Sequence, residues 1–439
     1  MTGPTPYDEY SGSGIEWVGP IPAGWKTCPL FAVVRENTAS NKAGTESNLL
    51  SLSYGRIVRK DIAGNYGLLP ASFDTYQVIG PDDIVLRLTD LQNDKRSLRS
   101  AISPERGIIT SAYLAVTPTA IRPKFLSYLL RAYDLQKVFY SMGGGLRQSM
   151  KYSDMKWLPV VLPPESTQQA ITEYLDRETA QIDELIGKQE RLIGLLAEKR
   201  QALITHAVTK GLDPSAPTKP SGVPCQGPVP EHWTVQPLKN LIRMQTGVTL
   251  GKDFSGVETE TYPYLRVANV QIGYVDLNEV KEINLPKEVA ATSILRAGDV
   301  LMTEGGDRDK LARGCIWEAP IAPCVHQNHI FAVRTGNQLL NEFLVLALDA
   351  DPARSYFYLT GKQSTNLAST NSTTVKNYRF GVPPMDEQHR IVDHLGRKTR
   401  HIDDLVDKAN AVIFKLKERR SALIAAAVTG KIDVREGVA

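Results

Sequence analysis

Between Leu162 and Asp213 apolar residues recur every seven positions, at Leu175, Ile182, Leu196 and Leu203, with Leu185 and Leu192 at the intermediate position. The same spacing returns at Leu395, Ile402, Leu416 and Leu423, with Leu405 and Val412 between them. A period of seven with two apolar positions per repeat predicts a long helix packed along a second one. Two prolines precede each stretch, and Ser166 and Asp386 are candidate N-caps, Ser166 with Gln169 as a capping-box partner. Glycine closes each stretch, at Gly211 and Gly430, where a left-handed C-cap belongs. Roughly 42 residues at about 1.5 Å each give a rod of about 60 Å. Glu178, Gln189 and Lys199, and their counterparts Lys398, Ala409 and Arg419, interrupt the seam. Polar seam positions fix register and partner, so two unlike helices of one chain are expected to pair, rather than one helix with a second copy of itself.

These stretches are copies of each other. At an offset of 220, 22 of 52 positions are identical from Leu162 to Asp213 and from Val382 to Asp433, which is the mark of an internal repeat. A second phrase, Gly19-Pro20-Ile21-Pro22-Ala23-Gly24-Trp25, returns as Gly227-Pro228-Val229-Pro230-Glu231-His232-Trp233 at an offset of 208. The repeating unit is therefore a globular segment followed by a helix, and both tryptophans are expected to anchor a core behind a rigid proline turn. Within each globule, Gly, Pro and Asp punctuate short strand-like runs: Tyr76 to Leu86 matches Ser293 to Leu301, and Ser111 to Val116 matches Ile330 to Val333. Helical runs follow from Phe125 to Phe139 and from Phe343 onward. The expected boundaries are a first globule over 1–161, a helix over 162–211, a Pro-, Ser- and Gly-rich linker over 212–228, a second globule over 229–381, and a second helix with its tail over 382–439. Segments between the matched strands diverge strongly, as expected if two copies of one scaffold meet two different ligands.

With 439 residues there is room for two or three cored domains, and a net charge of +3 makes any nucleic-acid surface local. Cys28, Cys225, Cys315 and Cys324 form no disulfide framework, consistent with a reducing cytosol. The first fourteen residues lack the order of a signal peptide, and no apolar run reaches 18 residues, so no membrane span is expected. Base edges and phosphates are met by Arg, Lys, Asn and Gln. Candidates in the first globule are Arg56, Arg59, Lys60, Arg87, Gln92, Asn93, Lys95, Arg96, Arg99 and Arg147, the last beside the glycine run Gly143–Gly145. In the second globule they are Arg266, Asn269, Arg308, Lys310 and Arg313, with Gly305-Gly306 able to let backbone approach a phosphate. Nearby aspartates dilute that charge. Cys315, Cys324, His326 and His329 have a spacing compatible with zinc, yet the first half has no counterpart, and no metal site is expected. Gly247 to Asp253 is a residue short of a phosphate loop and ends in Asp. No methyltransferase Pro-Pro-aromatic motif, methyl-donor loop or motor motif is present, so the chain is expected to be non-catalytic.

Taken together, the Pro-x-x-Trp openings (Pro22 to Trp25, Pro230 to Trp233), Gly298-Asp299-Val300-Leu301, the Pro-Pro-x-x-x-Gln starts of the helices and their endings Lys199 to Ile204 and Arg419 to Ile424 resemble the specificity subunit of type I restriction-modification systems. The resemblance covers nearly the whole chain in order, although Thr167 stands where the second helix has Glu387. It implies an α+β fold: two pseudo-two-fold-related mixed α/β target recognition domains separated by two long antiparallel coiled-coil helices. It further implies double-stranded DNA and two methyltransferase subunits as partners, with restriction/translocase subunits beside them, in the cytoplasm. S-adenosylmethionine, ATP and magnesium would belong to those partners, with no cofactor on this chain. Two other classes stay open on the residues alone: a stand-alone enzyme, either a nuclease using Asp299, Glu304 and Asp309 or a DNA methyltransferase, and a DNA-independent coiled-coil scaffold.

Overall fold

The computed structural model describes residues 5–61, 70, 72–91, 98–142, 149–251, 253–363 and 367–435. By packing the chain divides into two compact units, Met1–Glu190 with Asn410–Ala439, and Arg191–Ala409. In the first unit, β1 (Val34–Glu36), β2 (Ile84–Leu86), β3 (Ser100–Ile102) and β4 (Leu114–Pro118) form an antiparallel sheet in the order β1-β4-β2-β3. All of β2 is buried, as a short continuous apolar run after a turn predicts. The turn is locked by Asp83, whose carboxylate accepts from Gly80 N at 2.8 Å, Asn37 Nδ2 at 2.9 Å and Thr117 Oγ1 at 2.5 Å. Helix α1 (Pro123–Leu135) starts on a proline and buries Phe125, Leu126, Leu129, Leu130 and Tyr133, a stripe of helical period. It leads to α2 (Glu165–Lys210).

The second unit repeats this plan. Strands β5 (Ile242–Thr246), β6 (Asp299–Thr303), β7 (Gly314–Trp317) and β8 (Ile330–Thr335) are ordered β5-β8-β6-β7, again antiparallel. Asp299 takes the place of Asp83, accepting from Arg296 N at 2.9 Å and pairing with Arg334 at 2.7 Å. Helix α3 (Asn341–Asp349) follows, and then α4 (Met385–Val428).

Each long helix is fixed at its start by a buried glutamine. Gln168 donates to Pro163 O at 2.9 Å and accepts from Arg122 N, at the head of α1, at 2.9 Å. Gln388 donates to Pro383 O and Gln338 O, both at 2.9 Å, and accepts from Leu340 N, at the head of α3, at 2.8 Å. This network is the physical content of the Pro-Pro-x-x-x-Gln motif. The helices begin at Glu165 and Met385, so Ser166 and Asp386 lie in the first turn and are not the caps. Instead the first intrahelical bonds run from Gln168 N to Pro164 O and Gln388 N to Pro384 O, both at 3.0 Å. At the other ends Gly211 and Gly430 adopt φ of +74° and +70°, the left-handed caps expected.

Within the first unit, Ile171, Tyr174 and Leu175 of α2 share a core with Ile424, Ala427 and Val428 of α4 and with Ile21 and Trp25. One turn and more along, Asp183 pairs with Arg420 at 3.0 and 3.2 Å. Numbers rise on α2 as they fall on α4, so the helices are antiparallel here. The second unit holds the mirror set: Ile204, Ala207 and Val208 with Ile391, Leu395 and Trp233, and Arg200 facing Asp403 at 3.6 Å. Leu175, Ile182, Leu196, Leu395 and Ile402 are buried as the heptad predicts, while Leu203, Leu405, Leu416 and Leu423 are half-buried. The intermediate row is corrected. Leu185, Leu192 and Val412 are 45%, 43% and 42% exposed, and Ile186 and Ile413, one residue on, are buried in their stead. Four residues, not three, separate the two rows, which places the second row on the packed flank.

Outside the helices, Thr5 bridges Asp433, with Asp433 N donating to Thr5 O at 2.6 Å, and Tyr10 Oη donates to Gly430 O at 2.9 Å. Strand Tyr10–Gly12 then pairs with Pro20–Pro22, just as Thr218–Pro220 pairs with Pro228–Pro230 in the second unit. No helix among the described residues is long and apolar enough to cross a membrane.

Candidate nucleic-acid interface

In the first unit a hairpin, Leu50–Ser53 with Arg56–Arg59, carries Arg56, Arg59 and Lys60 outward. Arg59 is not free to roam, because its guanidinium forks onto Glu105, with Nε to Oε1 at 2.7 Å. Arg56 is the open one, with 78% of its side chain exposed and only a 4.0 Å approach to Asp183. It stands at the lip of a cleft of about 770 Å³, in which Lys124 pairs with Asp176 at 2.5 Å and Arg420 with Asp183, while Lys417 makes no ion pair among the described residues. Arg131, also on that wall, donates to Gly55 O at 2.8 Å and Ser100 O at 2.6 Å, and its burial pulls its pKa down. The cleft is thus largely an ion-paired joint between α1, α2 and α4.

Arg99 is corrected outright. It is fully buried, donating through Nη1 to Thr89 O at 2.9 Å and through Nη2 to Asp90 O at 3.3 Å, with its own N–H on Asp134 at 2.6 Å. A guanidinium spent on backbone carbonyls holds a loop and meets no ligand. Burial lifts the pKa of Asp134 above the usual carboxylate range. Arg87 is half-buried at the end of β2. Gln92, Asn93, Lys95, Arg96 and Arg147 lie outside the described residues.

The second unit assembles more of its candidates. A cleft of about 400 Å³ is lined by Gln271, Tyr274, Thr303, Gly305, Gly306, Lys310 and Arg313. Lys310 is salt-bridged to Asp307, and Arg313 is half-buried, its pKa drawn down by burial and then by Arg354. Arg308 stacks 4.3 Å above the Tyr358 ring and donates to Tyr358 O at 2.9 Å. Arg266 is tied to Glu279 at 3.2 Å. Asn269 is the second correction: it is buried, donating to Asp276 O at 2.8 Å and Glu279 O at 2.9 Å and accepting from Arg266 N at 2.8 Å. All its capacity closes its own loop.

Three residues passed over as readers now stand out. Gln327, Asn328 and His329 form the turn into β8, and His329 Nδ1 is 2.6 Å from Glu304 Oε2, next to Gly305. The sequence signal for them is the run of amide, amide and imidazole, which the zinc-like spacing of His326 and His329 with the cysteines masks. Cys315 and Cys324 are buried with thiol pKa values pushed up to about 12, and burial depresses His326 to about 4. Among the described residues no group of three or more His, Cys, Asp or Glu is placed to hold a metal ion. Gly247 serves packing, since a Cβ there would fall 2.0 Å from His326 O. Asp299 and Glu304 are committed to separate partners, Arg334 and His329, so the acidic trio of a nuclease is not assembled.

Fold and site define a class: a duplicated α+β protein whose two sheet-and-helix globules are each held by the ends of both long helices. Residues 230–414 match the type I restriction modification DNA specificity domain. Over 446 residues the chain is 20% identical to the type I restriction enzyme EcoKI specificity subunit of Escherichia coli K12, covering 95% of this chain and 91% of that one. It is 22% identical over 442 residues to the StySPI specificity subunit of Salmonella potsdam, with the same coverage. A solved chain from a study of complex assembly and conformational transition in a type I restriction-modification system superposes with a TM-score of 0.67 at 16% identity, covering 93% of this chain and 98% of that one. The chain is thus similar along nearly its whole length to type I restriction-modification specificity subunits, and the matched specificity domain spans its second globule and most of the second long helix.

Proposed function

We propose that this chain is the non-catalytic DNA-specificity subunit of a type I restriction-modification complex, each globule reading one half of a split duplex target. The observation that carries this reading is the duplication itself: one sheet framework occurs twice with divergent loops, and the segment matched by the DNA specificity domain is one of the copies. Helices of 46 and 44 residues measure about 69 and 66 Å, near two turns of B-DNA at about 34 Å each. Such rods suit a spacer that sets the gap between half-sites. Arg56, Arg59, Lys60, Lys310 and Arg313 would neutralise phosphates, a term independent of sequence. Exposed Leu185, Leu192, Leu195, Val412 and Phe414 on the helices offer apolar purchase to two methyltransferase subunits. Adenine methylation with S-adenosylmethionine, and cleavage driven by ATP and magnesium, would be the work of those partners and of restriction subunits in the cytoplasm.

Adding one heptad to each helix tests the spacer. About 10.5 Å of extra rod should lengthen the gap in the mapped methylation motif by about three base pairs. An unchanged gap would remove the ruler from the proposal. Exchanging residues 233–380 for a globule of different sequence should alter one half-site and leave the other intact.

A further inference from the structure

The duplication allows the loops of one unit to be judged against those of the other. Val300 faces Val333 across β6 and β8 as Ile84 faces Val116 across β2 and β4. Counting back from these pairs, Gln327, Asn328 and His329 occupy the place of Thr110, Ser111 and Ala112. Both turns are closed by the same backbone bond, Ile330 N to Gln327 O at 2.9 Å and Tyr113 N to Thr110 O at 3.1 Å. Framework and turn are held in common; the three side chains are not.

In the second unit the backbone of this turn is fastened on every side. Gln327 N donates to Leu265 O at 2.9 Å, Asn328 N to Val248 O at 3.0 Å, and Val248 N to His326 O at 2.7 Å. Its side chains are less tied: Gln327 and Asn328 are half-buried and His329 is exposed. Among the described residues the amides of Gln327 and Asn328 have no hydrogen-bond partner, and 54% of the His329 side chain is exposed. A carboxylate can only accept, so Glu304 holds the hydrogen on His329 Nδ1 and leaves Nε2 for an outside partner. Glu304 leads directly into Gly305-Gly306 and the cleft with Lys310 and Arg313. The cleft that holds Lys310, ion-paired to Asp307, and the half-buried Arg313 therefore begins one residue beyond the carboxylate that orients the imidazole of this turn. Amide side chains match the paired donor and acceptor on the major-groove edge of adenine.

We propose that Gln327, Asn328 and His329 are the base-reading residues of the second unit, with Glu304 as the positioning residue for His329. This rests on the DNA-specificity reading above. The test is selection from a library of random-sequence DNA duplexes by the full-length chain, wild type against Gln327→Ala, Asn328→Ala, His329→Ala and the triple exchange to Thr-Ser-Ala. That last sequence already closes the same turn in the first unit, so it guards against mere misfolding. Expected is a loss of preference of about tenfold or more at one or two base positions of a single half-site. The other half of the motif should be unchanged. Glu304→Gln, whose carbonyl can still accept from Nδ1, should keep the motif, and Glu304→Leu should lose the same base position as His329→Ala. Lys310→Ala should weaken binding to all sequences alike. A motif unaltered in every turn variant, or degraded equally in both halves, would overturn this inference while leaving the specificity-subunit reading in place. A wild-type chain that enriches no motif would overturn both.

Discussion

The two units use the same joint between globule and rod but brace it differently. Gln168 and Gln388 make matching bonds to the proline turn and to the head of the following short helix. One residue earlier the copies part: Glu387 accepts from Trp233 Nε1 at 3.1 Å and lies 2.7 Å from His232 Nε2, whereas a buried Thr167 occupies the equivalent position of the first helix. In the first unit the tryptophan is instead wedged by Tyr7, ring to ring at 5.8 Å, and by the Gly430 cap against Pro22. The lesson is that duplication preserved the hydrogen bonds that set chain direction and let the packing around them drift.

The caps should show the largest contrast. A Cβ on Gly430 would sit 2.2 Å from Pro22 Cδ, a ring that cannot swing away, and φ is left-handed. Gly430→Ala is expected to cost about 3 kcal/mol or more. At Gly211 the obstacle at 2.9 Å is the tip of the Glu387 side chain, so Gly211→Ala should cost about 1–2 kcal/mol, the left-handed backbone alone. Denaturant midpoints at constant slope measure both, and equal costs would erase the distinction.

Acid should come next, with its largest single effect on the second unit. His326 has a folded pKa of about 4, below its unfolded value, so the unfolded chain binds the proton more readily. Stability is then lost as pH falls from about 6.5 to about 4, amounting to about 3 kcal/mol. By strand register Ile109 fills that place in the first unit, and the buried Asp134 there has its pKa raised, so protonation favours its folded form. Melting followed from pH 7 to pH 4 should destabilise the second unit selectively, and His326→Ile should flatten its response.

Smaller effects follow at the joints. Gln388→Leu strands Gln338 O and Leu340 N and should cost about 2–3 kcal/mol, with Gln168→Leu somewhat less because it has one bond fewer. Smallest is Glu387→Thr, which makes the second joint like the first: about 1–2 kcal/mol, read as a loss in melting temperature. No loss at all would mean that the Trp233 bond is ornamental.

Much of this fold was legible because it was written twice. The helices, their glycine caps and the Asp-then-apolar strands each followed from a local pattern that occurs once in each half. What escaped depended on neighbours. The second apolar row was placed three residues along rather than four, although Ile193 and Ile413, identical between the copies, marked the true row. Arg99 and Asn269 look like readers by residue type; only tertiary enclosure turns them into loop clamps. The Gln327 turn was hidden because its meaning lies in the contrast with Thr110–Ala112, and that alignment needs strand register.

One contact remains to be followed to its end. Residues 211–220 run unbroken from helix cap to strand, whereas in the other copy the same path is split, with Asp433 on one side and Thr5 on the other, bridged without a peptide bond. Thr5 and Asp433 thus achieve by a hydrogen-bonded bridge what residues 211–220 achieve by a continuous backbone. A covalent splice near Thr5 and Asp433, with a fresh opening inside 221–227, would leave every strand pairing and both rods where they are.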